Sequence, residues 1–241
     1  MNPDALTALA ATRAEIAVAH HLLLILGAVF LWLRRDIGRL PSILMTAAFG
    51  SAAWVQLGSG DAVLPGAVCA VLALTWFVEV LSPASDLSFR GTPRGRLLFS
   101  LATFAYALAY PGYTTGLPLF LVSPVGVLLP PTLLVALSLL NTAAPRVRHQ
   151  FHWAHVAAGL VFGVWGLVSA GWMHAPLVAA SLYGVWLLAR GSRRIEDASG
   201  PQGKVRDVRD RMYARKTLLP GPRKYGRRLD VRSRRRTGGR R

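Results

Sequence analysis

Between residues 16 and 189 the chain alternates long uncharged apolar runs with short loops, and arginine is confined to every second loop. The runs are Ile16–Leu33, Pro41–Leu57, Ala62–Leu81, Leu97–Tyr110, Leu117–Leu140, Phe151–Ala170 and Pro176–Ala189. Loops one, three and five read "RRDIGRL", "SPASDLSFRGTPRGR" and "NTAAPRVRHQ"; loops two, four and six, "GSGD", "PGYTTG" and "GWMH", hold neither Lys nor Arg. At a rise of about 1.5 Å, some 18–20 residues cross the roughly 30 Å hydrocarbon core of a bilayer. A bilayer offers no water to satisfy backbone groups, so runs of this kind are predicted to be helices. Cationic loops stay on the cytoplasmic side. The expected fold is therefore an all-α polytopic bundle of seven transmembrane helices, N-terminus outside and C-terminus cytoplasmic. The loop charges match a bacterial inner membrane, although a eukaryotic organelle would carry the same signature.

Charge is distributed in the same sense. Charged residues make up 16% of the chain and hydrophobic ones 53%, where an average globular domain has about 25% and 45–50%. From Arg190 to Arg241 there are 19 Lys and Arg against five acids, a net of +14 in a total of +17. That split predicts a membrane domain over residues 1–190 and a basic cytoplasmic tail over 191–241. The first run ends in "LWLRRDIGRL", an arginine stop with no small-residue cleavage site, and is expected to remain as a span. The single cysteine, Cys69, excludes an intrachain disulfide framework. Trp32, Trp76, Trp153 and Trp186 fall near predicted inner ends and Trp54 and Trp172 near outer ends, as interfacial indoles do.

The sixth run opens with His149, His152 and His155. At about 100° per residue, His152, His155, Gly159, Gly163, Gly166 and Ala170 share an arc of roughly 80°, with the bulky aliphatics opposite. Small residues mark the face where membrane helices approach closely, so both histidines should point into the bundle. Glu79, the only acid within a span, lies at a similar depth. Interfacial anchoring is the leading reading of these histidines; a buried Glu79–His155 pair is the next, and a divalent metal held by Glu79, His152 and His155 the third. No catalytic set is identified, and no cofactor is expected. His20 and His155 lie near opposite faces, which argues against heme ligation, and the absence of lysine from the spans excludes a retinal Schiff base.

The fifth run carries Pro118, Pro124, Pro130 and Pro131 together with Gly126. Interior prolines remove backbone bonds and kink a helix, and broken helices form solute sites in transporters. Ser123, Pro124, Gly126 and Pro130 are the candidate substrate path on that reading; a kinked helix packed by its neighbours is the simpler one. The stretch "YPGY…LVSPVGVLLPPTLL", with the arginine-ended first span and a Trp in the second, resembles a bacterial multi-pass membrane family of unknown function. The matching positions are Tyr110, Pro111, Ser123, Pro124, Pro131 and Thr132; Pro130 stands where that family has cysteine, and Leu133 replaces its second threonine. The resemblance covers residues 16–189 and implies a fold and no activity.

In the tail, "GSRRIEDASGPQG" reads as a flexible connection, and Val205, Val208, Met212 and Leu219 recur at helical spacing among basic residues. An amphipathic helix over about 204–219, stopped by Pro220, and an Arg-rich disordered end are expected. Lys204, Arg206, Arg209, Arg211, Arg215, Lys216, Arg234, Arg235 and Arg236 are candidate contacts for anionic lipid headgroups of the cytoplasmic leaflet, each adding about 1 kcal/mol. A protein complex or RNA would attract the same residues, but only Tyr213 and Tyr225 could stack on bases, so no sequence-specific nucleic-acid binding is expected. The leading functional expectation is a structural, assembly or scaffold component. A small-solute transporter or channel-like protein is the alternative, and a membrane enzyme or metal site the second alternative.

Overall fold

The computed structural model describes residue 8 and residues 12–34, 39–60, 62–89, 92–110 and 124–199, without the side chains of 31–34 and 192–199. Among the described residues all regular structure is helical. The described residues form seven long α-helices: α1 (Ala14–Arg34), α2 (Leu40–Ser59), α3 (Val63–Leu81), α4 (Arg94–Leu108), α5 (Leu129–Ala143), α6 (His149–Ala170) and α7 (Ala175–Ser199), with one 3-10 turn at Trp172–His174 before α7. Four helical stretches are long and apolar enough to cross a membrane: Leu40–Ser59, Val63–Leu81, His149–Ala170 and Trp172–Gly191. Shorter apolar stretches are Ala14–Phe30 of α1 and the whole of α5. The chain divides into units of residues 1–193 and 194–241. The expected helix at 204–219 and the nine candidate lipid contacts, Lys204 through Arg236, lie outside the described residues, as does Ser123.

α5 is the centre of the bundle. Every one of its residues but Leu139 is buried. The helices around it instead present Leu, Val and Phe outward, among them Val71, Leu74 and Phe77 on α3 and Val161, Val164 and Val168 on α6. Lipid tails are as apolar as these side chains, so close packing rather than water exclusion holds such helices together. The small-residue face of α6 provides that packing. A methyl group on Gly159 would collide with Ser181 Oγ of α7, and one on Gly163 would lie 2.9 Å from Val178. α2 and α3 form a tight hairpin in the same manner, with Gly66 against the backbone of Leu57 and Gly60 at φ +76° ending α2.

Three details depart from the sequence reading. The described part of the fifth run, from Pro124, is not a helix kinked at interior prolines: a turn precedes α5, which begins at Leu129 with Pro130 and Pro131 in its first turn, and Pro118 lies outside the described residues. Proline is at home there, because the first helical N–H groups have no acceptor in any case. Trp76 is not an interfacial indole but is wholly buried, edge-on to Phe151 and His155 at 4.7 and 5.6 Å. Residues 191–199 continue α7 rather than loosening into a connection. A helix already nucleated by its apolar part extends at little cost through "SRRIED". Arg190, one turn beyond Trp186, stacks its guanidinium 4.1 Å from that ring.

Candidate functional site

Polar side chains gather at three levels of the bundle, and the arginine-loop end is the richest. Glu79 stands in the last turn of α3, 2% exposed. An acid is disfavoured at a helix C-terminus, where unsatisfied carbonyls already make the field negative. Here the chain reverses and supplies donors: the Ala84 and Ser85 amides each donate to Glu79 Oε2 at 3.1 Å, and the Arg148 guanidinium lies 3.7 Å from Oε1. A second pair runs beside the first. Arg146 donates to Asp86 Oδ2 at 2.9 Å and to Ser88 Oγ at 3.0 Å, and the Asp86 amide donates back to the Arg146 carbonyl at 3.0 Å. Two acid–arginine pairs thus sew the α3–α4 loop to the α5–α6 loop. For Asp86 partial burial pushes the carboxyl pKa up, but hydrogen bonds from Ser88 and the adjacent Arg146 outweigh it and hold the value below the usual 3.8.

The two buried histidines of α6 turn to other partners. Asn141 Nδ2 donates to the Ala180 carbonyl at 2.9 Å, which leaves Asn141 Oδ1 to accept from His152 Nε2, also at 2.9 Å. His155 Nδ1 donates to the Phe151 carbonyl at 2.8 Å, and its ring is surrounded by Phe49, Trp76 and Phe151. Those bonds assign the tautomers, leaving His155 Nε2 an acceptor without a partner; the Trp76 indole N–H is likewise a donor without one. The proposed Glu79–His155 pair does not form, because the carboxylate is held by loop amides and Arg148. Glu79, His152 and His155 do not converge either: among the described residues no three His, Cys, Asp or Glu side chains are grouped to hold a metal ion.

The second level is a buried turn just before α5. Val127 and Leu128 amides both donate to the Pro124 carbonyl, and Gly126 sits at φ +79°. Irregular backbone inside a membrane costs several kcal/mol for each unsatisfied group unless protein supplies partners. Three side chains do so. Ser51 Oγ donates to the Gly126 carbonyl at 2.7 Å, Gln56 Nε2 donates to the Val127 carbonyl at 3.0 Å, and Thr132 Oγ1 accepts from the Gly126 amide at 2.9 Å. His20 sits between Ser51 and the α1 backbone, with Nε2 3.2 Å from the Ser51 hydroxyl and Nδ1 2.9 Å from the Ile16 carbonyl. Of the candidate substrate path, Pro124 and Gly126 lie in this turn and Pro130 in the first turn of α5. The carbonyls of Pro124, Gly126 and Val127 are already occupied by protein donors.

No family model, curated protein or solved structure matches the chain. At the third level, beside the short turn preceding α7, Tyr110 Oη lies 2.9 Å from His174 Nδ1 and Tyr106 donates to the Met173 carbonyl at 3.0 Å. His174 is buried there, against Gly166. Sequence reasoning missed Ser51, Gln56 and Asn141. For Ser51 and Gln56 a signal was available, since each is an uncharged polar residue interrupting an apolar run, a pattern that in lipid demands an internal partner; Asn141, read as the first residue of the fifth loop, carried none.

Proposed function

We propose that the chain is a seven-pass membrane protein acting as a structural or assembly component, with its N-terminus outside, its C-terminus cytoplasmic and a bacterial inner membrane as its location. One observation carries the reading. The polar groups that would serve chemistry or transport, Glu79, His152 and the turn at 124–128, are engaged by the protein's own donors and acceptors, and they fix helices and loops to one another. In this reading the basic tail offers the bundle's contact with anionic headgroups or a cytoplasmic partner. Affinity purification of the full-length chain in mild detergent tests it. A co-purifying complex is expected, and it should be lost when Lys204, Arg206, Arg209, Arg211, Arg215, Lys216 and Arg234–Arg236 are replaced by glutamine. Purification of the intact chain alone, with no associated protein, would count against it.

One observation favours transport as a second reading: non-helical backbone deep in the bundle at 124–128, the kind of break that solute sites use. Solute flux in proteoliposomes that disappears with Ser51→Ala would establish that reading instead. The metal or enzyme reading gains no support from the separate partners of Glu79, His152 and His155.

A further inference from the structure

Between α1, α2, α4 and α5 lies a narrow cleft of about 60 Å³, open on one side. Leu24 and Ala28 of α1, Leu44 and Met45 of α2, and Leu101 and Phe104 of α4 form its apolar walls. Leu101 is still 39% exposed, so the cleft opens to the outside of the bundle. Within a bilayer such a cleft fills with hydrocarbon, since lipid tails are as apolar as its walls. Two further observations say which molecule the hydrocarbon belongs to.

The first is a hydroxyl. Ser138 and Thr142, which also line the cleft, donate to the carbonyls of Val135 and Ser138 of their own helix. Ser100 does not: it is 3% exposed, lines the cleft and has no hydrogen-bond partner for Oγ. A buried hydroxyl without a partner costs about 1–3 kcal/mol, and an acceptor on a ligand would remove that cost. The second is charge at one end. Pro41, Phe89, Leu97 and Thr142 line the end nearest the arginine loops. Arg39 is two residues before Pro41, Arg94 three before Leu97, and both are exposed. Arg96 donates to the Ala144 carbonyl, which leaves its buried Nε without a partner. Arg96 and Ser100 are four apart on α4, so their side chains leave the helix on one face from Cα atoms about 6 Å apart along the axis.

We propose that this cleft binds one anionic phospholipid, its phosphate at Arg96 with Arg39 and Arg94 flanking, an ester carbonyl accepting from Ser100, and one acyl chain along α4 from Leu97 to Phe104. Anion, acceptor and chain follow one another in a phospholipid in the order in which the cleft presents their partners. A free fatty acid has the anion and the chain but no second acceptor one helical turn deeper. The wall from Leu97 to Phe104 is about 10 Å long, enough for the first part of a chain whose remainder returns to the bilayer. The site is independent of the tail and of the assembly reading.

Native mass spectrometry of the full-length protein, exchanged from detergent into vesicles of phosphatidylglycerol or of phosphatidylcholine and re-extracted, tests the proposal. The expected result is one retained phosphatidylglycerol and little phosphatidylcholine. Arg96→Gln should reduce retention about tenfold, as befits loss of one charged hydrogen-bond donor. Ala28→Phe, which fills the cleft, should abolish it, and glutamine replacements in the tail should leave it unchanged. Ser100→Ala removes only one hydroxyl and guards against misfolding of the larger variant; it should lower retention several-fold with an unchanged melting temperature. Retention of no lipid, retention indifferent to Ala28→Phe, Arg96→Gln and Ser100→Ala, or equal competition by palmitate would each overturn the proposal.

Discussion

Gly126 answers two separate demands at one position. Its φ of +79° is closed to most side chains, and an added Cβ would stand 2.6 Å from the His20 ring. Gly126→Ala should therefore cost about 1–3 kcal/mol in thermal unfolding in detergent. Adding His20→Ala should recover the steric share alone, because the dihedral demand remains. Glu79 invites a similar dissection. Glu79→Ala leaves two loop amides and Arg148 without their acceptor and should cost about 2 kcal/mol. Arg148→Ala should cost under about 1 kcal/mol, since that side chain is half exposed and solvent weakens its pairing. Equal losses would mean that the ion pair, rather than the capped loop, is what Glu79 supplies. Asp86 adds a pH dependence. Its folded pKa is held below 3.8, so its contribution is complete above that value and is lost as pH falls through the lower, folded value. The protection factor of the Asp86 amide, bonded to the Arg146 carbonyl, should fall as pH drops below 3.8, and in Asp86→Asn it should be low at every pH.

At the scale of single helices, α5 shows what a proline-rich apolar run can and cannot reveal. The run announces a broken element, yet the sequence alone does not say whether Pro130 interrupts a helix or starts one. That depends on the donors available upstream, and these come from α2, some seventy residues away in the chain. Ser51 and Gln56 close the same turn, so their losses should couple. Ser51→Ala and Gln56→Leu should each destabilise by about 1–2 kcal/mol, and the double variant by less than the sum; thermal melts of the four proteins measure this. α6 was more legible. Its glycine arc is a local, periodic signal, and the structure seats Gly159 and Gly163 on α7 as that arc implies. Burial of Trp76 had no such signal. An indole near a helix end reads as interfacial until the partner helix, here α6 with Phe151 and His155, is known.

For the molecule as a whole, helix positions were the most readable property, because apolar length is set by the thickness of lipid rather than by any partner. α1 to α4 and α6 fall within a few residues of the apolar runs, whereas the partners of Glu79 and His152 could not be read, since each comes from another element. Epitope tags at the two ends of the chain test the seven-pass proposal directly: they should be accessible from opposite sides of the membrane, and accessibility from one side would refute an odd number of crossings.

The stitched loops have an electrical consequence. Where Arg146 and Arg148 are matched by Asp86 and Glu79, the rim beneath α3 and α6 is close to neutral. The rim beneath α2 and α4, with Arg39, Arg94 and Arg96, is cationic. Among the described residues the bundle thus carries a lateral polarity within the membrane plane. Its lipid annulus should sort around the circumference, acidic lipids gathering under one half and neutral ones under the other.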